Sequence, residues 1–400
     1  MYQSIPLYFA HWEDSQLARS QLDEAFKVLV EKALLRGDRR RFSLLAMAFL
    51  AQLNNGHTRF YDPSFSRLPP PGMTLRLVEN RWTVTASVIP GLKAGDVICE
   101  IQGRPIDLWY VALLPYTVGS RQSRTVQFGD WNGVFPPLLG IFLPDTYAVT
   151  YEDARGARCT LTVDRTALLR EPATLSVEGR LVAKDLAYIR IPSFLSPEFE
   201  VTALSYVKDY SAAACLILDV RGNGGGNTPH ALIRALMNCP YRWWLESRPV
   251  GVSTSSDETQ RDPGADSCDD ASLLRRLVTD DSGLESYQGR LIILVDRGTW
   301  SAAEDFVMPF KDNGRAVVVG EMTGGSSGQP QFYTFENGMV LGIGAQRVRL
   351  PDGTRFEGVG LVPDIAVDLH REHLYGGNDP VLDSAVAVIR GGYKDELIQV

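Results

Sequence analysis

Ser301 lies in the stretch GTWSAAEDF, where an apolar run, LIILVD, gives way to a helical pattern. A serine at such a turn has two readings. It can cap the helix by accepting free backbone N–H groups, as can Thr299. It can also be a nucleophile, because a strand-to-helix turn holds a hydroxyl outward beside N–H donors able to stabilise an oxyanion. Four other stretches bear on that choice, one of them VVVGEMTGGSSGQP, Val317 to Pro330, a strand emptying into glycines. In LILDVRGNGGGNTP a buried strand empties into consecutive glycines. This is either a flexible turn or a loop whose backbone approaches a ligand closely, with Gly225 offering an N–H; it lacks the spacing and the lysine of a phosphate-binding loop. Of the five histidines, only His57, in NNGHTRF, follows a helix directly within a Gly-flanked turn, which makes it the candidate general base. Glu357, in TRFEGVGLVPDI, sits among glycines before a Pro-Asp turn, where a carboxylate can orient an imidazole.

These residues need elements to position them. Apolar residues at three-to-four spacing in LDEAFKVLVEKALL and FSLLAMAFLAQL predict two helices, the second stopping at NNGHT so that His57 emerges just past its end. A Pro-rich break, LPPPGM, leads into alternating strands from Thr74 to Asp107, and a hairpin, YAVTYEDARGARCTLTVDR, closes that region near Thr166. Further on, LAYIRIPSF, ACLILDVRG, LIILVD, AVVVGE and MVLGIGAQRVRL read as strands. They interleave with helical patterns at EFEVTALSYVKDY, PHALIRALM and SAAEDFVMPFKDN, which predicts an α/β layer. The acidic stretch between Ser253 and Gly289 reads as a solvated excursion, and the cluster LRGDRRRF as a solvated helix end or loop. The expected division is a helical segment over 1–68, a β-rich domain over 69–166 and an α/β domain over 167–400.

Composition narrows the function classes. The chain is 44% hydrophobic and 22% charged, ordinary for a globular protein. A net charge of -8 supplies no basic footprint for nucleic acid. No apolar run is long enough for a membrane span, and the N-terminus lacks a leader pattern. Five scattered cysteines without CxxC spacing suit reduced thiols and exclude a Cys/His zinc site of standard spacing. The expectation is a cytoplasmic protein, although one trimmed of a leader for the periplasm or for secretion would read the same.

Taken together and in this order, the four stretches resemble peptidase family S41, which comprises the C-terminal processing peptidases, the tricorn core protease and the interphotoreceptor retinoid-binding modules. The resemblance runs through the whole chain in domain order and is strongest between Leu216 and Ile365. It implies a multidomain α/β fold: an N-terminal helical segment, a PDZ-like β-rich domain carried by PGLKAGDVICEIQGRPID, and a C-terminal α/β core of the ClpP/crotonase type. No GLGF carboxylate-binding loop precedes the PDZ-like stretch. The resemblance further implies a serine peptidase acting on peptide or unfolded protein, with Ser301 as nucleophile and the N–H groups of Ala302 and Gly225 as oxyanion hole, and no metal or organic cofactor. In the C-terminal processing group the base is a lysine, but the matching position in GEMTGGSS is Ser326. Lys311 lies about three turns along the helix after Ser301 and points away. The tricorn-like group uses a histidine and a glutamate instead, which His57 and Glu357 match. That group carries a relay serine directly before its histidine, where this chain has Gly56. Thr58 or a water is the substitute at hand, and Thr58 and Ser326 complete the candidates as supporting residues. Three other readings stay open: a catalytically silent binding protein of the same fold, a peptide-tail adaptor acting through the PDZ-like region, and a crotonase-type acyl-CoA enzyme. The sequence leaves oligomeric state open, homo-oligomers included.

Overall fold

The central strands are apolar on both faces because both faces are covered. In the computed structural model, which describes residues 2–35, 37–65, 69, 71–119, 121–129, 141–168, 175–249, 277–278 and 286–392, they form a six-stranded sheet. Its order is Ile365–Ala366, Ala316–Gly320, Arg290–Val295, Cys215–Asp219, Leu186–Arg190 and Glu178–Ala183. All neighbours run parallel except the last pair. Alternation along the strands splits the core in two. Leu216, Leu218, Leu291 and Ile293 pack beneath the helices Pro197–Asp209, His230–Leu236 and Ala302–Asp312. Ile217, Ile292, Leu294 and Val319 face the helix Pro380–Ala387.

Three consecutive sheet neighbours end at one edge and release the loops that matter. Cys215–Asp219 runs into the glycines, Arg290–Val295 into Ser301, and Ala316–Gly320 into Ser326. Parallel open sheets place ligand sites outside the carboxyl ends of their strands for this reason.

The predicted helices are Leu22–Leu34 and Arg39–Ala51, the second capped by the Asp38 side chain accepting from the Arg41 N–H. Part of the cluster LRGDRRRF is therefore inside a helix, and Arg39 pairs with the buried carboxylate of Asp62. After the turn holding His57, the strand Arg59–Tyr61 pairs with Val340–Gly344, which pairs with Pro330–Thr334. That three-stranded sheet carries His57 to the edge of the central sheet. Residues 73–164 supply an antiparallel sheet, Met73–Val78, Arg81–Ser87, Val97–Ile101, Thr146–Glu152 and Arg158–Asp164. Its core residues Leu75, Trp82 and Val149 join Leu50, Leu53, Leu341 and Ile343 in one apolar cluster. Among the described residues no helix is long and apolar enough to cross a membrane. Most of the acidic stretch Ser253 to Gly289 lies outside the described residues, as does Cys268.

Candidate active site

Ser301 has φ 56° and ψ −123°, a left-handed conformation costly for a residue with a Cβ. Several contacts impose it. The Ser301 N–H donates to Glu304 Oε2 at 3.0 Å and to the Ser326 carbonyl at 3.1 Å. On its N-terminal side, Asp296 Oδ1 accepts from the N–H groups of Gly222, Gly298 and Thr299, and Trp300 N–H donates to the Asn223 carbonyl. The glycine loop and the serine turn are thereby tied together. The hydroxyl does not cap the helix: Ser301 Oγ lies 3.0 Å from His57 Nε2.

From His57 the chain of hydrogen bonds continues. Nδ1 lies 2.8 Å from Ser326 Oγ, and that hydroxyl donates to Glu357 Oε1 at 2.8 Å. Since Ser326 gives its proton to the carboxyl, it can only accept from His57, which places the imidazole proton on Nδ1 and leaves Nε2 as acceptor toward Ser301. Glu357 Oε1 also accepts from Asn55 Nδ2 at 2.8 Å and from Gly56 N–H at 3.3 Å, while Oε2 is buried with no hydrogen-bond partner. The indole of Trp300 stacks on His57, with centroids 4.3 Å apart and planes 11° apart, and the Arg59 guanidinium lies 5.6 Å from the Trp300 ring centroid.

The electrostatics follow from burial. Desolvation, with Arg59 and then His11 adding repulsion, holds His57 well below the ordinary imidazole value, so the ring is neutral. Burial pushes Glu357 up to about 8 against the hydrogen bonds from Ser326, Gly56 and Asn55. Glu304 is likewise raised to about 8 by burial, although Thr323 Oγ1 and the N–H groups of Gly325, Ser326 and Ser301 all donate to it. A neutral imidazole hydrogen-bonded to a strained, outward-held hydroxyl is the geometry that general-base activation of a serine requires.

The structure thus brings Ser301, His57, Ser326 and Glu357 into one chain, and it puts other candidates elsewhere. Thr58 Oγ1 donates to Asn55 Oδ1 and accepts from Gly344 N–H, so it braces the turn and does not link His57 to Glu357. Ser326 makes that link. Gly56 is bare because the space is taken: a Cβ there would lie 2.6 Å from Ser326 Oγ and 2.9 Å from Trp300 Cζ2. Lys311 pairs with Asp364, away from Ser301. Gly225, at φ +89°, presses on the turn so closely that a Cβ would come within 2.7 Å of the Trp300 carbonyl and 2.9 Å of Ala302 N. Its N–H, however, donates to Asn223 Oδ1 at 2.9 Å. Ala302 opens its helix, so its N–H has no intrahelical acceptor.

Sequence reasoning passed over Glu304, Asn55 and Trp300. A glutamate three residues after a helix-opening serine is a capping-box spacing, which was a readable signal for Glu304. Nothing local marked Trp300 or Asn55. Among the described residues no cluster of three or more His, Cys, Asp or Glu is placed to hold a metal.

Parts of this chain are similar to known proteins. Residues 185–367 match the profile of peptidase family S41. The chain is 24% identical over 208 residues to the carboxyl-terminal-processing protease of Synechocystis sp., covering 52% of this chain and 44% of the relative. It is 28% identical over 178 residues to the tail-specific protease of Haemophilus influenzae, covering 44% and 22%. The chain therefore spans less than half the length of these curated relatives. Among solved structures, mature CPAF complexed with lactacystin superposes with a TM-score of 0.71 at 14% identity, covering 99% of this chain and 97% of that one. The photosystem II D1 C-terminal processing protease gives 0.52 at 19%, covering 92% and 91%. At these identities the superpositions speak for the fold. The strands, glycine loop, serine turn and Glu357 loop that build the site all fall within residues 185–367, the part of the chain that matches the profile of peptidase family S41.

Proposed function

We propose that the chain is a serine peptidase of the tricorn-like kind, with His57 as general base. The observation that carries the reading is the unbroken path from Ser301 Oγ through His57 and Ser326 to Glu357. Ser301 Oγ attacks the carbonyl carbon of a peptide bond as its proton passes to His57 Nε2. The oxyanion is held by Ala302 N–H and by Gly225 N–H, which turns from Asn223 Oδ1 to the substrate. Collapse breaks the C–N bond, and the amine leaves with the proton from His57. Water, deprotonated by His57, then attacks the acyl ester, and Ser301 recovers its proton as the acid departs. Glu357, through Ser326, fixes the orientation of the ring.

In this reading residues 1–68 form a helical domain that contributes the base, 69–166 a PDZ-like domain, and 167–400 a ClpP/crotonase-like catalytic core. The substrates are peptides or unfolded proteins. The test is labelling with a fluorophosphonate, followed by peptide mapping, of the wild type, Ser301→Ala and His57→Ala. Label on Ser301 that is lost in both variants supports the reading. A folded wild type that neither labels nor cleaves peptides rejects it in favour of a silent binding protein.

A further inference from the structure

We infer that Phe332 forms the wall of an apolar subsite beside His57, accepting one apolar side chain of the peptide next to the bond to be cut. The inference rests on the peptidase reading. It starts from the register of the three-stranded sheet, where Arg59, Gly342 and Phe332 form one cross-strand row and Tyr61, Val340 and Thr334 the next. Residues paired across strands share a face. The Arg59 side chain reaches the Trp300 ring, which stacks on His57, so this face is turned to the site. The opposite face is spoken for: Phe60 is buried in the core and Tyr333 packs against it.

On the site-facing side Phe332 is 53% exposed and Tyr61 42% exposed. Between Arg59 and Phe332 the row is bare. A Cβ on Gly342 would meet Phe332 Cε1 at 3.2 Å and the His57 carbonyl at 3.0 Å. The phenyl ring therefore leans over a missing side chain toward the main chain of His57. Covering this ring with an apolar side chain removes carbon from water, which is favourable in proportion to the area buried. Neither row contains a carboxylate, so the surface selects carbon over a basic side chain.

The test compares kcat/KM of the full chain for peptides that differ at one position flanking the cut, aromatic or aliphatic against glycine. Wild type, Phe332→Ala and Phe332→Leu are compared, with fluorophosphonate labelling of Ser301 confirming an intact site in each. The expected result is that the aromatic-over-glycine preference falls roughly tenfold or more in Phe332→Ala and moves toward branched aliphatics in Phe332→Leu. A preference that holds to within about twofold in both variants overturns the inference, as does a loss shared equally by every peptide. A wild type that neither labels at Ser301 nor cleaves any peptide overturns the peptidase reading itself.

Discussion

Ser326 offers a sharp test, because its side chain bridges His57 and Glu357 from a different segment than the one that carries the histidine. Ser326→Ala leaves Glu357 Oε1 with Asn55 and Gly56 as donors, but it leaves His57 Nδ1–H buried without an acceptor. An orphaned buried donor costs about 1–3 kcal/mol. At about 1.4 kcal/mol per factor of ten, kcat/KM should fall roughly 5- to 150-fold as the ring loses its anchor. Placing the serine before the histidine instead should restore the bridge only if space is made for it. Gly56→Ser alone forces a Cβ to 2.6 Å from Ser326 Oγ and 2.7 Å from its Cβ, overpacking that costs about 1–3 kcal/mol and displaces the bridge. In Gly56→Ser/Ser326→Gly both close contacts on residue 326 vanish, and a hydroxyl enters the vacated position. The double variant should exceed Ser326→Gly in kcat/KM for a peptide substrate, with both single variants below wild type. Full activity in Ser326→Ala, or a double variant no better than Ser326→Gly, would refute the bridge as an orienting device.

Four further outcomes are expected. Because burial, Arg59 and His11 hold His57 below its ordinary value, the neutral base persists into acid, and the acidic limb of kcat/KM should lie well below the ordinary imidazole value of about 6.5; a limb centred near 6.5 contradicts this. Stability runs the other way for the buried histidines, since the unfolded chain binds their protons first: it should drop as pH falls below about 6.5, with His11 contributing down to its lowered value of about 4. Glu304 and Glu357 contribute in the opposite sense between about 4.5 and about 8, where the unfolded carboxyls ionise before the folded ones; the two effects oppose each other up to about 6.5 and the carboxyl loss acts alone above it, so melting temperature plotted against pH should pass through a maximum. With Glu357 held neutral up to about 8, Glu357→Gln keeps an acceptor for Ser326, and its kcat/KM should stay nearer wild type at about pH 6 than at about pH 9. Asp305 receives hydrogen bonds from Ser327 Oγ, Thr228 Oγ1 and Trp244 Nε1; Asp305→Asn turns an amide NH2 on one of these donors and should cost about 1–3 kcal/mol in denaturant unfolding.

Periodicity was enough to locate most elements. Alternating or continuous apolar runs marked the central strands, three-to-four spacing the helices, and glycine clusters the loops between them. Types and settings also singled out Ser301, His57 and Glu357, because a hydroxyl at a strand-to-helix turn, an imidazole past a helix end and a carboxylate among glycines each announce themselves locally. What the linear sequence could not assign is which group bridges His57 and Glu357. Ser326 and Gly56 are 270 positions apart, and only the fold reveals that the hydroxyl of one fills the space a side chain on the other would need. Thr58, adjacent in sequence, was the natural candidate, but the turn aims it at Asn55 and Gly344. The glycine loop is a similar case: its closeness to Ser301 follows from neighbouring parallel strands ending together, yet the Asn223 contact on Gly225 N–H depends on local backbone conformation. The sequence by itself determined the elements and the chemical groups, since these depend on local periodicity and residue type. Tertiary structure alone decided which groups touch and how burial tunes them, because both arise from packing segments distant along the chain.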